Sequence, residues 1–192
     1  MRIIASGCSF TYGHGLKDCF NPPDGHGPEP SKYAWPSVVS KLSGKKCINV
    51  SAPGGGNMRI IKQLLELDLI ETDTVLVLWS YSTRSPEFTL TGTSNNGEWN
   101  EDYMMNKFNF SSPHDLYLQQ LIQVYLFTKY LESKKVKIIY QFIDMFTISS
   151  DSIHYPVFIK LWKEIQKYNY TEYTFDKVQK QLNDGIIKGH AL

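Results

Sequence analysis

The sequence predicts an α/β fold, a three-layer sandwich with a mostly parallel central sheet between layers of helices. Short apolar runs that suit buried strands alternate along the chain with longer stretches of helical character. The clearest strand, Thr74–Trp79, is apolar on both faces, as is expected of a central parallel strand. The 192 residues suffice for one α/β domain, and no internal repeat or linker is visible, so we expect one domain over residues 1–192.

The first half of the chain supplies two strands and a helix. Arg2–Ala5 is the first predicted strand, because its β-branched isoleucines suit a pleated core and Gly7 marks its end. A loop insertion is expected at about 15–36, where the many prolines and glycines exclude regular structure. Trp35–Leu42 is then predicted as a short helix with proline in its first turn, and Lys45–Val50 as the second strand.

The alternation continues through the rest of the chain. A second loop insertion is expected at about 89–113, a stretch rich in asparagine, glycine and aromatic residues. The other elements predicted around the Thr74–Trp79 strand are helices Met58–Leu69, Leu116–Glu132 and Val157–Tyr168 and the strand Lys134–Phe142. This order predicts a parallel sheet with helices on both faces.

Composition excludes several classes of protein. The 20 Lys and Arg residues nearly balance the 19 Asp and Glu residues, so net charge suggests neither a nucleic-acid partner nor a membrane partner. No signal peptide or transmembrane run is apparent. Three cysteines without regular spacing indicate a reducing compartment and no metal site. We therefore expect a cytoplasmic protein without a cofactor, and composition leaves the oligomeric state open.

Small and hydroxyl-bearing residues follow the first predicted strand directly. In an open α/β sheet, ligands bind just beyond the carboxyl ends of the strands. Ser9 at that position can present its hydroxyl group and its own backbone N–H to a crevice, as a nucleophile with an oxyanion donor does. The alternative interpretation is an ordinary strand-to-helix turn in which Ser9 or Thr11 caps the helix.

The second predicted strand also ends in a glycine-rich turn that opens a helix. Free N–H groups and the helix dipole make such a turn suitable for an anion. The lysine and hydroxyl residue of a phosphate-binding loop are missing, and so is the dinucleotide fingerprint. The turn therefore predicts an oxyanion-type site. The alternative is a plain turn in which Asn57 is the N-cap.

The sequence GCSFTYG at Gly7–Gly13 resembles the first block of the SGNH (GDSL-type) hydrolases, in a divergent branch common among phage-type sequences. The resemblance implies a flavodoxin-like SGNH hydrolase fold, with Ser9 as the nucleophile. The second block of the family corresponds to the turn after Asn49, which implies oxyanion donors at Gly54 and Asn57. Cys8 is a departure, because it stands where the family usually has aspartate.

The third block of the family also differs here. Most SGNH hydrolases carry an asparagine after the third strand, which donates to the oxyanion. This chain instead has Trp79 and Ser80 followed by Arg84. Both Ser80 and Arg84 are donors that can substitute for that asparagine.

The resemblance implies a histidine base and an orienting aspartate in a late block. Asp151 and His154 have the spacing of that block but follow the preceding strand closely. His190, in the C-terminal Gly-His-Ala-Leu, has the right place in the chain, although its partner Asp184 is further away than usual. Chain order favours His190 with Asp184. The terminal helix of the family is missing, so either this is a shortened form of a longer chain or the natural protein ends early.

Together these resemblances imply a serine esterase that hydrolyses an ester of a small molecule or carbohydrate, such as an O-acetyl group. The altered first, third and last blocks keep an alternative open, a non-catalytic SGNH-like module that binds a glycan or a protein. A flavodoxin-like nucleotide binder is a third interpretation, which the absence of phosphate-loop residues opposes.

Overall fold

The computed structural model of the chain describes residues 1–19, 27–81, 84, 113–143 and 156–169. Its strands are β1 (Ile3–Ser6), β2 (Cys47–Asn49), β3 (Thr74–Trp79) and β4 (Lys137–Phe142). Its helices are α1 (Ser9–Tyr12), α2 (Trp35–Ser43), α3 (Asn57–Leu65), α4 (Pro113–Ser133) and α5 (Pro156–Gln166).

The four strands form one sheet in the order β2-β1-β3-β4, and every pair is parallel. In the register, Ile4 lies between Ile48 of β2 and Val75 of β3. The parallel sheet predicted from the alternation of strands and helices is confirmed. Because all strands point the same way, their carboxyl ends meet at one edge of the sheet.

Helices cover both faces of this sheet. On one face, α3, α4 and α5 pack their apolar sides against the strand side chains that point to that face, for example Ile4, Val75 and Val77. On the other face, α2 lies beside β2, and its Val38 shares a cavity lining with Ile3 and other residues of that face. The result is the predicted three-layer arrangement, and the larger core lies under α3–α5.

Most predicted element boundaries differ from the observed ones by one to four residues, and the difference at the start of β4 has a local cause. The strand predicted to begin at Lys134 begins at Lys137, because the preceding residues close the end of α4. The N–H of Lys134 bonds to carbonyl groups of that helix, and Lys135 has a positive φ of 57° that a strand excludes. Helix α3 ends at Leu65, before the predicted Leu69, whose side chain is nevertheless buried in the core.

Several predicted features lie outside the described residues. They include residues 89–112 of the second loop insertion and residues 20–26 of the first. Among the helices that the structure describes, none has both the length and the apolar character needed to cross a bilayer.

An ion pair at the amino end of the sheet ties β1 to the turn before β3. Arg2 Nε lies 2.8 Å from Asp73 Oδ1, and the guanidinium also donates to Oδ2 at 3.0 Å. Asp73 is buried and accepts a further hydrogen bond from the N–H of Ile70. The hydrogen bond from Arg2, opposed by the desolvation that burial brings, holds the pKa of Asp73 below its ordinary value.

We expect Asp73→Asn to lower the free energy of unfolding at pH 7 by about 1–2 kcal/mol, since a charge-assisted bidentate contact is lost. A depressed carboxylate pKa stabilises the fold fully above the unfolded-state pKa, near 4, and the contribution disappears as the pH falls through the lower folded-state pKa. Urea unfolding at pH 7 and at pH 3 measures both effects. The exposed Glu71→Gln variant is the control, and an Asp73→Asn deficit unchanged at low pH would contradict the assignment.

Candidate functional site

Three strand-end turns meet at the carboxyl edge of the sheet. The first turn (Gly7–Ser9) follows β1, the second turn (Ser51–Gly56) follows β2, and the third turn (Ser80, Tyr81 and Arg84) follows β3. The N–H of Ala52 donates to Gly7 O at 3.3 Å, which joins the second turn to the first. Arg84 Nη1 donates to Gly55 O at 3.3 Å, which joins the third turn to the second. The three turns therefore form one hydrogen-bonded rim.

The first turn depends on a glycine that allows close backbone packing. A Cβ atom on Gly7 would lie 2.1 Å from Thr11 Oγ1 and 3.1 Å from Leu78 O, so no larger residue fits. The chain then enters the short helix α1 at Ser9, whose N-cap residue is Cys8. The cap alternative is thereby answered for this helix, because Ser9 is its first residue and Thr11 lies within it.

The Ser9 hydroxyl group is half-buried at the rim. Among the described residues its hydrogen-bond contact is a weak one, to Cys8 Sγ at a distance of 4.0 Å. The backbone N–H of Ser9 donates to no other described residue. Both groups of Ser9 are therefore available for a molecule bound at the rim.

Cys8 lies in a small apolar cluster beneath the first turn. It is fully buried against Leu78 and Ile143, with Phe10, Trp35 and Tyr81 packed around them. A carboxylate at this position would be surrounded by hydrocarbon, where its charge is costly. This accounts for a cysteine at the position where the resemblance implies an aspartate.

Introducing that aspartate should damage the protein. We expect Cys8→Asp to lower the free energy of unfolding by about 3 kcal/mol or more, because it buries an ionisable group without a partner. Cys8→Ala, which removes only the sulfur, should cost about 1 kcal/mol. Thermal unfolding of the two variants measures the difference, and a Cys8→Asp protein as stable as Cys8→Ala would show that the apolar cluster is described wrongly.

The second turn uses a proline and a glycine to reverse the chain. The N–H of Gly55 bonds to Ala52 O at 3.2 Å across Pro53 and Gly54, and Gly54 has a φ of 70°. Proline followed by a residue of positive φ is the type II turn pattern, which favours glycine at the second position. Among the described residues, the Gly54 N–H has no acceptor.

Asn57 is the first residue of α3, and its N-cap is Gly56. The Asn57 side chain is almost fully buried, and its Oδ1 accepts the N–H of Ser80 at 2.8 Å. Its Nδ2 donates to Gln120 Oε1 at 3.3 Å. Asn57 thus fixes the start of the third turn, and the predicted oxyanion role would have to use the second hydrogen on Nδ2.

Gln120 is a site residue that sequence reasoning missed. It lies on the buried side of α4, four residues from both Leu116 and Val124, which are fully buried. Among the described residues its Nε2 has no hydrogen-bond partner, and neither does the Ser80 hydroxyl group, which is also buried. A polar residue in a largely apolar helical stripe was the available signal, because such a residue needs a buried partner.

Both candidate acid–base pairs lie outside the described residues, but the residues that flank them are placed. Asp151 and His154 fall between the carboxyl end of β4 at Phe142 and the start of α5 at Pro156. Asp184 and His190 follow Asn169, which forms a parallel bridge with Tyr140 of β4, where Tyr140 N–H bonds to Tyr168 O. At Asn169 the chain therefore runs towards the edge that carries Ser9.

A cavity of about 860 Å³ lies elsewhere, on the face of the sheet that α2 covers. Its lining is mainly apolar and includes Leu76, Ile139 and Val38. Because this cavity runs along the strands and not past their carboxyl ends, it is distinct from the rim. The described residues contain no group of three or more His, Cys, Asp or Glu side chains arranged for a metal ion.

No protein-family model matches the sequence, and no curated protein is significantly similar to it. Solved structures are similar in fold. One is a carbohydrate esterase whose active site is described as displaying divergent catalytic and non-catalytic binding functions. It shares 13% identity over 100% of this chain and 70% of its own, with a TM-score of 0.53. An acetyl xylan esterase, Est2A from the rumen bacterium Butyrivibrio proteoclasticus, matches 86% of this chain and 52% of its own at 14% identity, with a TM-score of 0.48. The parallel sheet and the first of these likenesses together show that the chain shares the α/β fold of that carbohydrate esterase, as the resemblance to the SGNH hydrolases predicts.

Proposed function

We propose that the chain is a serine ester hydrolase with Ser9 as its nucleophile. The observation that carries the proposal is the Ser9 hydroxyl group, which is half-buried at the carboxyl end of β1 and whose contact among the described residues is a weak one, to the Cys8 thiol. In the first step Ser9 Oγ bonds to the ester carbonyl carbon, a histidine takes its proton, and the alcohol leaves with that proton. Water then attacks the acyl-enzyme, and the acid and free Ser9 are released.

The negative charge on the carbonyl oxygen needs donors that are already in place. In this proposal the backbone N–H groups of Ser9 and Gly54 provide them, with the second hydrogen of Asn57 Nδ2 as a third. The support is that neither N–H has another acceptor among the described residues, and that the Ala52–Gly7 hydrogen bond holds the two turns together.

The proposed base is His190, oriented by Asp184, with Asp151 and His154 as the competing pair. The support for His190 is the direction of the chain at Asn169, which runs parallel to β4 towards the Ser9 edge. The competing pair follows the carboxyl end of β4, so topology allows either one to reach the rim.

The proposed substrate is a small acyl ester, with an O-acetyl group on a carbohydrate as the leading case. The fold likeness to a carbohydrate esterase supports this choice. The competing function is a non-catalytic module that binds a glycan or a protein, and the apolar cluster at Cys8 and the missing third-block asparagine favour it.

Assays with 4-nitrophenyl acetate and with acetylated xylo-oligosaccharides test the proposal. An esterase releases nitrophenolate and acetate catalytically, at rates that saturate with substrate. A binding module releases neither above the buffer rate but retains the oligosaccharide in a direct binding measurement. Acetate release from 4-nitrophenyl acetate without turnover of the oligosaccharide would support the esterase function and exclude the carbohydrate substrate.

A further inference from the structure

Arg84 is a half-buried cation at the rim whose position is fixed by several contacts. Its backbone N–H bonds to Tyr81 O at 3.2 Å, and its Nη1 donates to Gly55 O at 3.3 Å. The guanidinium carbon lies 5.3 Å from the centre of the Tyr81 ring, within cation–π range. The third turn that carries it is itself anchored by the bond from the Ser80 N–H to Asn57.

These contacts leave most of the guanidinium group unused. An arginine side chain has five N–H donors, and one of them has an acceptor among the described residues, the carbonyl oxygen of Gly55. Among the described residues no carboxylate lies within ion-pair distance of Arg84. A guanidinium keeps its charge at all ordinary pH values, so this charge is not neutralised within the described part of the protein.

The side chain of a second arginine, Arg59, also lies against Gly55. Arg59 Cδ lies 3.6 Å from the position that a Cβ on Gly55 would take, and that position is 3.8 Å from Gly7 O in the first turn. Both arginines therefore flank Gly55, beside the turn that leads into Ser9.

We infer that Arg84 binds an anionic group of the substrate, a carboxylate or a phosphate, while the ester carbonyl lies at Ser9. The planar fork of a guanidinium matches either group through two parallel hydrogen bonds, and burial strengthens such contacts relative to water. The inference rests on the proposed esterase function and narrows its substrates to esters that carry a negative charge. Arg84 is then a specificity-determining residue and not the third oxyanion donor.

A matched pair of esters tests this, 4-acetoxybenzoate and its methyl ester, which differ in charge and have similar leaving groups. We expect Arg84→Gln to lower kcat/KM for both, because the contact with Gly55 is lost. The decrease should be about tenfold larger for the anion, chiefly through KM. 4-Acetoxyphenyl phosphate, compared with neutral 4-methoxyphenyl acetate, shows whether phosphate replaces carboxylate. Lys62→Gln, which removes a cation from the exposed side of α3, is the control and should leave the ratio of the two rates unchanged.

Equal losses for the charged and neutral esters would overturn the inference, since they would place Arg84 at the oxyanion or in the fold. A binding measurement distinguishes the failure of this inference from the failure of the proposed esterase function. Ser9→Ala protein should bind 4-acetoxybenzoate about tenfold more tightly than the Ser9→Ala, Arg84→Gln double variant in calorimetric titration. If the wild type hydrolyses no ester but this difference persists, the anion site stands without the hydrolase. If neither variant binds, the anion site is rejected.

Discussion

Ser9→Ala should abolish ester hydrolysis while leaving the protein folded. The substitution removes one oxygen from a half-buried position whose contact within the described residues is a weak one, to the Cys8 thiol, so little stability depends on it. A nucleophile provides most of the rate enhancement in a serine hydrolase, and we expect kcat on 4-nitrophenyl acetate to fall by about 10⁴-fold or more. Initial rates under saturating substrate measure the loss, and circular dichroism with thermal unfolding confirms the fold.

The control for that experiment is Ser43→Ala at the exposed end of α2, where the hydroxyl group donates to Ser40 O and accepts the N–H of Lys45. This variant should retain wild-type activity. Activity within a fewfold of the wild type in a folded Ser9→Ala protein would exclude Ser9 as the nucleophile.

His190→Ala should lose activity about as completely as Ser9→Ala, and His154→Ala should be nearly silent. The nucleophile and its base act as a unit, so removing either one removes the same step. For the same reason, the Ser9→Ala, His190→Ala double variant should be no slower than either single variant. Steady-state kcat values of these four variants on one ester show whether His190 is the base.

The reverse pattern, in which His154→Ala is inactive and His190→Ala is active, would move the base to His154 and its partner to Asp151. Full activity in both single variants would instead mean that neither histidine serves Ser9. The two histidines act as controls for each other, because each substitution removes the same imidazole from a different part of the chain.

The fold was predictable because the strands are short and strongly patterned. Thr74–Trp79 has the same bounds in the structure as in the prediction, since an apolar β-rich run buried on both faces fits only a central strand. The predicted start of β4 was wrong because the hydrogen bonds that end α4 extend into the residues predicted as strand. Lys134 and Lys135 look like the start of a strand, but the end of α4 takes their N–H groups.

The position of the candidate site was predictable to a similar extent. Turns that follow parallel strands must meet at one edge, so Ser9 and Gly54 were expected near each other, and a hydrogen bond joins their turns. The partners of Asn57 were not predictable, because the contact with Gln120 joins residues 63 positions apart on different helices. Sequence spacing carries no information about such a contact. The roles of Ser9, Gly54, Asn57, Asp184 and His190 remain predictions.

Labelling with a fluorophosphonate tests the central claim most directly. An activated serine displaces fluoride and forms a stable phosphonate ester, whereas an ordinary serine does not react. We predict one adduct per chain, located at Ser9 by fragmentation of the peptide that contains the first turn, and none in the Ser9→Ala variant. An adduct on another residue, or an unlabelled Ser9 in a preparation that hydrolyses esters, would contradict the assignment of Ser9 as the nucleophile.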